Sequence, residues 1–237
     1  MTVRRVLLPG LTLPVDDYAG LLAALDGDTV VLNTLVVPVT GVTARLRSFM
    51  VPQPPYELVG HSVGALAALE WAAAHPDEVT RVVLLDPSDP YGAPVPAALG
   101  GSSGRLLTAL VRAMCRSRRI TRALGRWGRR TVLNTYGVVD DPLPLSRVDA
   151  LFGTREALGA VVAQVVGVPA QVARVRALLD AGFTPPDVVV IGSSEGATAD
   201  SEATARLAER LGTTVVVVPG AHLFPMTHPT STAAALR

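Results

Sequence analysis

The sequence predicts an α/β fold: a doubly wound, mostly parallel sheet with a helical cap insertion. Three observations lead there. Short β-branched apolar runs recur at residues 3–8, 29–37, 56–60, 81–86, 187–192 and 213–219, and runs that are apolar at nearly every position suit strands covered on both faces. Helical stretches separate most of them, at 16–25, 62–75, 200–211 and 230–237, and this alternation builds parallel sheets. The chain has 237 residues, 49% hydrophobic and 17% charged, enough to bury roughly 70–75% of its unfolded surface around one core.

Taken in order, the first strand stops at Pro9-Gly10, and Asp16-Asp17 open the first helix. The third strand runs into the Ala-rich helix 62–75, and the fourth ends at Asp86-Pro87. The interval 87–186 is too long for a single crossover. It begins with the turn-rich Pro87-Ser88-Asp89-Pro90-Tyr91-Gly92 and contains two helical regions, near 105–124 and 155–179. It reads as a cap over one end of a core formed by residues 1–86 and 187–237.

Composition excludes several chemistries. With 21 basic and 20 acidic residues the formal charge is +1, short of the basic excess that nonspecific nucleic-acid binding needs. Every basic residue is Arg, so Schiff-base catalysis and a P-loop lysine are ruled out. One cysteine, Cys115, and four histidines exclude a disulfide framework and a Cys/His structural zinc site. The opening Arg4-Arg5 and apolar run are interrupted by Pro9-Gly10 and followed by acids, unlike a signal peptide, and polar residues and prolines break every run of 18 apolar residues. The expectation is a cytoplasmic protein with no membrane span, no nucleic-acid partner, no metal and no cofactor.

The chemistry lies in Gly60-His61-Ser62-Val63-Gly64. This G-x-S-x-G follows an apolar strand and opens a helix, the context that makes the match meaningful. The flanking glycines remove Cβ atoms that would clash at a strained strand-to-helix turn, and Ser62 is the candidate nucleophile. A serine hydroxyl needs a neighbouring base. His61 projects away from the elbow, and His75 suits the end of its helix, where a histidine faces the helix dipole. His222, just past the last apolar strand, is favoured over His228.

From these motifs the chain resembles the α/β-hydrolase family over nearly its whole length. Leu7-Leu8-Pro9-Gly10-Leu11 is similar to that family's oxyanion loop, although the family more often has His-Gly where this chain has Pro9-Gly10. The resemblance implies that the backbone N–H groups of Leu11 and Val63 form an oxyanion hole, and that the loop 218–225 carries the catalytic histidine, His222. Two acids remain open. Glu195 follows the strand-ending Gly192, as the acid does in many members. Asp86 ends the preceding strand, where polyketide-type thioesterases of this fold, which the chain also resembles at Pro219-Gly220-Ala221-His222, carry an aspartate. Glu195 is marginally preferred, and Asp200 stands third.

The insertion carries nine arginines between residues 105 and 130 and no acid. Arg105, Arg112, Arg116, Arg119, Arg126 and Arg130 are spaced to share one helical face, opposite Leu107, Leu110, Val111 and Met114. The face is either a solvated cap surface or a docking stripe for an acyl carrier protein or the phosphates of a coenzyme A thioester. The leading expectation is a serine hydrolase cleaving an ester or thioester, with a natural-product substrate carried on such a thiol. A non-hydrolytic lyase or cyclase using the same Ser/His pair is the alternative.

Overall fold

A computed structural model describes residues 4–49, 54–92, 101–196 and 198–237. The elements run β1 (Arg4–Leu8), α1 (Ala19–Ala24), β2 (Thr29–Val31), α2 (Thr43–Arg47), β3 (Tyr56–His61), α3 (Val63–Ala74), β4 (Val79–Leu85), α4 (Gly101–Met114), α5 (Arg118–Thr135), α6 (Leu145–Phe152), α7 (Arg155–Asp180), β5 (Val188–Ser193), α8 (Thr198–Arg210), β6 (Val215–Val218), α9 (Phe224–Thr227) and α10 (Pro229–Ala235). The six strands form one parallel sheet in the order β2-β1-β3-β4-β5-β6. The doubly wound parallel sheet predicted from the apolar runs is therefore present, with the second run much shorter than expected.

Successive strand residues feed opposite faces, as the strand period of two requires. Val6, Leu58, Val82, Leu84 and Val190 pack into one core with α3 and α7. Leu7, Val59, Val83, Leu85 and Ile191 pack into a second with Tyr18, Phe224 and Leu236. This is why the strands read as continuous apolar runs rather than alternating ones.

Among the described residues four helices, α4 to α7, lie between β4 and β5. The single helix expected near 105–124 is two helices, because the chain turns at Cys115–Ser117. Ser117 is extended, as a helix-opening residue should be, and Thr121 Oγ1 donates to the Ser117 carbonyl at 2.9 Å. The turn overturns the single arginine face. Arg105 lies on α4 and Arg116 in the turn itself, whereas Arg119, Arg126 and Arg130 lie on α5; the Arg112 side chain lies outside the described residues. On the opposite, apolar side, Leu110 and Met114 are exposed.

Helix α7 is long and apolar enough to cross a membrane by length and composition. Here it packs on the core. Gln164 Nε2 donates to the Thr34 carbonyl at 3.0 Å, and Gln171 Nε2 donates to Glu70 on α3 at 3.3 Å. Arg174 on the next turn forms an ion pair with the same Glu70 at 2.5 Å.

Two polar connections fix the cap and the loops relative to the sheet. Arg129 of α5, almost wholly buried, bonds both Asp17, beside the β1 loop, at 2.5 and 2.7 Å, and Asp141, ahead of α6, at 3.0 Å. The second is a chain through His61. The Gly10 N–H donates to the Tyr18 hydroxyl at 2.9 Å, Tyr18 lies 2.8 Å from His61 Nδ1, and His61 Nε2 lies 2.9 Å from the His222 carbonyl. A carbonyl can only accept, so Nε2 carries the proton and Nδ1 accepts from Tyr18. Burial, with the nearby His222 ring, pushes the His61 pKa down to about 3, which keeps the ring in this neutral tautomer.

Replacing Arg129 with Met leaves Asp17 buried without its partner, and denaturant unfolding should show a loss of roughly 3–5 kcal/mol. An unchanged midpoint would mean that the clamp carries no net stability. His61 has a linked pH effect. Its folded pKa lies below the ordinary 6.5, so the unfolded chain binds the extra proton as pH falls from that value toward 3. Stability is therefore lost across that window, with this one group adding a slope of up to about 1.4 kcal/mol per pH unit. Unfolding midpoints of wild type and His61→Gln across the window should show a shallower acid slope for the variant.

Candidate active site

The site lies where the carboxyl ends of β3, β4 and β5 meet the loop after β6. Ser62 joins β3 to α3 with φ 56°, in the left-handed region that non-glycine residues seldom occupy. Two close approaches hold it there. A Cβ on Gly60 would sit 2.5 Å from the Ala65 Cα, and one on Gly64 would sit 2.0 Å from the Leu8 carbonyl oxygen. The strain predicted for the elbow is thus present, and both glycines are sterically required. Val63 opens α3, so its N–H has no acceptor within the helix. Leu11 follows Gly10 in a turn closed by the Leu13 N–H on the Gly10 carbonyl, with Thr12 at φ 62°. Leu11, Ser62 and His222 line one cavity of about 140 Å³.

Asp86 meets His222. Its Oδ2 lies 2.6 Å from His222 Nδ1, and Asp86 is almost fully buried. The Asp86 N–H donates to the Ile191 carbonyl at 2.7 Å, and a left-handed φ of 40° turns the residue at the end of β4. Oδ1 faces the Ser193 N–H and hydroxyl, each at 3.4 Å. Burial raises the Asp86 pKa, but the hydrogen bond and charge of the His222 imidazole outweigh it and hold the carboxyl below its usual range. A carboxylate on Nδ1–H leaves Nε2 as the acceptor on the ring.

The structure brings Asp86 to His222, and not the marginally preferred Glu195. Its N–H is held by the Gly220 carbonyl at 3.0 Å, just as the Ser194 N–H is held by Val218, extending the β5–β6 ladder past the strand ends. Its side chain is exposed, whereas Asp86 lies one strand nearer the serine. The side chain of Asp200 lies outside the described residues. His75 closes α3, as expected. His228 Nδ1 lies 3.0 Å from Thr227 Oγ1 at the start of α10, away from the site; His61 is spent in the chain described above.

Two contacts had no sequence signal strong enough to find them. Tyr136, at the end of α5, stacks on His222 with ring centroids 4.3 Å apart and planes inclined by 29°. Ser88 Oγ lies 3.4 Å from Ser62 Oγ, and the Ser88 N–H donates to the Ser62 carbonyl. Ser88 sits in a stretch that reads only as a turn, and Tyr136 reaches the site only because the cap folds back. Ser62, Asp86, Ser88, Tyr136 and His222 line a second, more polar cavity of about 210 Å³. Among the described residues, no group of three His, Cys, Asp or Glu side chains gathers to hold a metal ion.

Solved structures share this architecture. Cfl2 from Burkholderia cenocepacia is 20% identical, with a TM-score of 0.64 over 99% of this chain and 87% of that one. The enol-lactonase from Burkholderia xenovorans LB400 is 17% identical, with a TM-score of 0.65 over 100% and 90%. An N-formylmaleamic acid deformylase variant from Pseudomonas putida S16 is 17% identical, with a TM-score of 0.58 over 100% and 92%. At these identities the likeness establishes the fold alone. No curated protein matches the chain significantly in sequence. The family model for the alpha/beta hydrolase fold matches residues 50–229, a span that holds the strained serine elbow, Asp86 and His222, and the chain belongs to that family.

Proposed function

We infer that the protein is a serine hydrolase acting on an ester or thioester. The observation that carries this reading is the 2.6 Å contact between Asp86 Oδ2 and His222 Nδ1, in a cavity whose wall includes a serine on a left-handed elbow. With Nδ1–H given to Asp86, His222 Nε2 takes the Ser62 proton as Oγ bonds to the substrate carbonyl carbon. The Leu11 and Val63 N–H groups receive the charge that develops on the carbonyl oxygen, a contribution typically worth about 10²–10³ in rate for one donor. His222 then protonates the departing oxygen or sulfur. Water attacks the acyl-serine by the same proton path in reverse, which frees the acid and restores Ser62.

A thioester on an acyl carrier protein or coenzyme A fits the exposed arginines of the cap. Arg105, Arg116 and Arg119 face solvent, available to an anionic carrier, whereas Arg126 is already paired with Asp149 at 2.5 Å. The carrier would meet a broad basic surface spread over α4, the turn after it and α5 rather than one stripe.

Ser62→Ala should abolish turnover and fluorophosphonate labelling together while the unfolding midpoint stays close to wild type, since only a hydroxyl is lost. Activity surviving within tenfold would remove Ser62 as nucleophile. Asp86→Asn should cost on the order of 10⁴ in kcat, and Glu195→Gln should cost less than about tenfold; steady-state kinetics of the two variants on one ester decide between the carboxylates. The opposite ranking would return the acid to Glu195, and two near-wild-type variants would favour a reaction with no triad.

A further inference from the structure

A further chamber of about 250 Å³, partly open to solvent, lies under the cap, lined by residues of α4, α5, α6 and α7 and by Leu11 and Thr12 of the β1 loop. Its walls are almost wholly apolar: Leu124 and Val132 from α5, Phe152 from α6, Val161 and Val165 from α7. Among the described residues the one charged group there, Arg129, lies with its guanidinium carbon 5.9 Å from the centre of the Phe152 ring and is neutralised by Asp17 and Asp141. None of the described wall residues offers a free charge to a ligand, which suits an uncharged group.

Leu11 and Val132 line both this chamber and the cavity that holds Ser62 and His222. These two side chains are thus the wall that the two cavities share. Gly128 supplies part of the space, since a Cβ built on it meets nothing within 4 Å, although the residue lies on the chamber wall. Its missing side chain is therefore not demanded by helix packing. The neighbouring Gly125 differs, because a Cβ there would sit 2.5 Å from the Phe152 carbonyl oxygen.

We propose that this chamber binds the acyl chain of the substrate, an aliphatic group of medium length, and that Gly128 sets how long that chain can be. The proposal rests on the hydrolase reading for its kinetic consequence but not for its binding consequence. Each methylene that enters an apolar site gains about fourfold in association, so preference for longer acyl groups should rise steeply until the chamber is full.

The kinetic arm compares kcat/KM for the p-nitrophenyl esters of acetate, butyrate and octanoate. Wild type should favour octanoate over acetate. Gly128→Leu, and independently Val165→Phe from the facing helix, should lower the octanoate-to-acetate ratio by roughly tenfold or more. The binding arm uses Ser62→Ala and octan-1-ol as the probe, read by the emission of Trp127. That residue is on the chamber wall and exposed, whereas the other tryptophan, Trp71, is fully buried in the sheet core. Octan-1-ol should shift the emission in Ser62→Ala and shift it less once Gly128→Leu is added, with circular dichroism confirming that each variant is folded. A flat chain-length profile, an unchanged ratio in both filled variants, or octan-1-ol binding indifferent to Gly128→Leu would overturn the proposal. Absence of ester turnover with normal octan-1-ol binding would overturn the hydrolase reading and leave the chamber standing.

Discussion

The approach of two backbones at Gly64 governs the architecture of the site. The first turn of α3 lies against the carbonyls of Leu8 and Pro9 so closely that a single methyl group at Gly64 would fall 2.0 Å from an oxygen. That contact brings the end of β1 and the elbow after β3 together, which places the Leu11 turn beside Ser62. Overpacking a site of this kind typically costs 1–3 kcal/mol, and here the clash is with backbone, which has no rotamer to escape into. The left-handed serine is the local consequence, a conformation sustained because the surrounding sheet and helix over-determine it.

Around that fixed point, His222 is held from several directions. Asp86 fixes one ring nitrogen, Tyr136 covers a ring face, and the backbone carbonyl of the same residue is held by His61. These partners come from β4, from the end of α5 and from β3, so the imidazole position integrates the sheet and the cap. His61 also reaches the Gly10 amide through Tyr18. The loop carrying His222 and the loop proposed to hold the oxyanion thereby share one hydrogen-bonded path, in which every buried donor finds an acceptor.

The cap has a different kind of anchor. Arg129 is buried between Asp17 and Asp141, and burying such a group is costly unless its hydrogen bonds are complete. Its geometry ties α5 to the segment just after the β1 loop, and α5 is the helix that supplies Gly128, Val132 and Tyr136 to the two cavities. Shifting α5 would therefore alter the covering of His222 and the wall of the apolar chamber together.

What the sequence by itself determined was whatever depends on neighbours along the chain. Apolar runs of strand length, the Gly60–Gly64 elbow and the histidine after the last strand were legible because backbone sterics and periodicity are local. The carboxylate was not legible, since Asp86 and Glu195 both end strands on the same sheet edge, and only the register of β4 beside β3 and the left-handed turn at Asp86 brought one of them to the imidazole. The arginine stripe misled for the same reason: its spacing assumes an unbroken helix, whereas the turn at Cys115–Ser117 divided it. Tyr136, Ser88 and the apolar chamber arise from contacts between segments far apart in the chain, and burial, which selects such contacts, is a property of the packed structure that no sequence window contains.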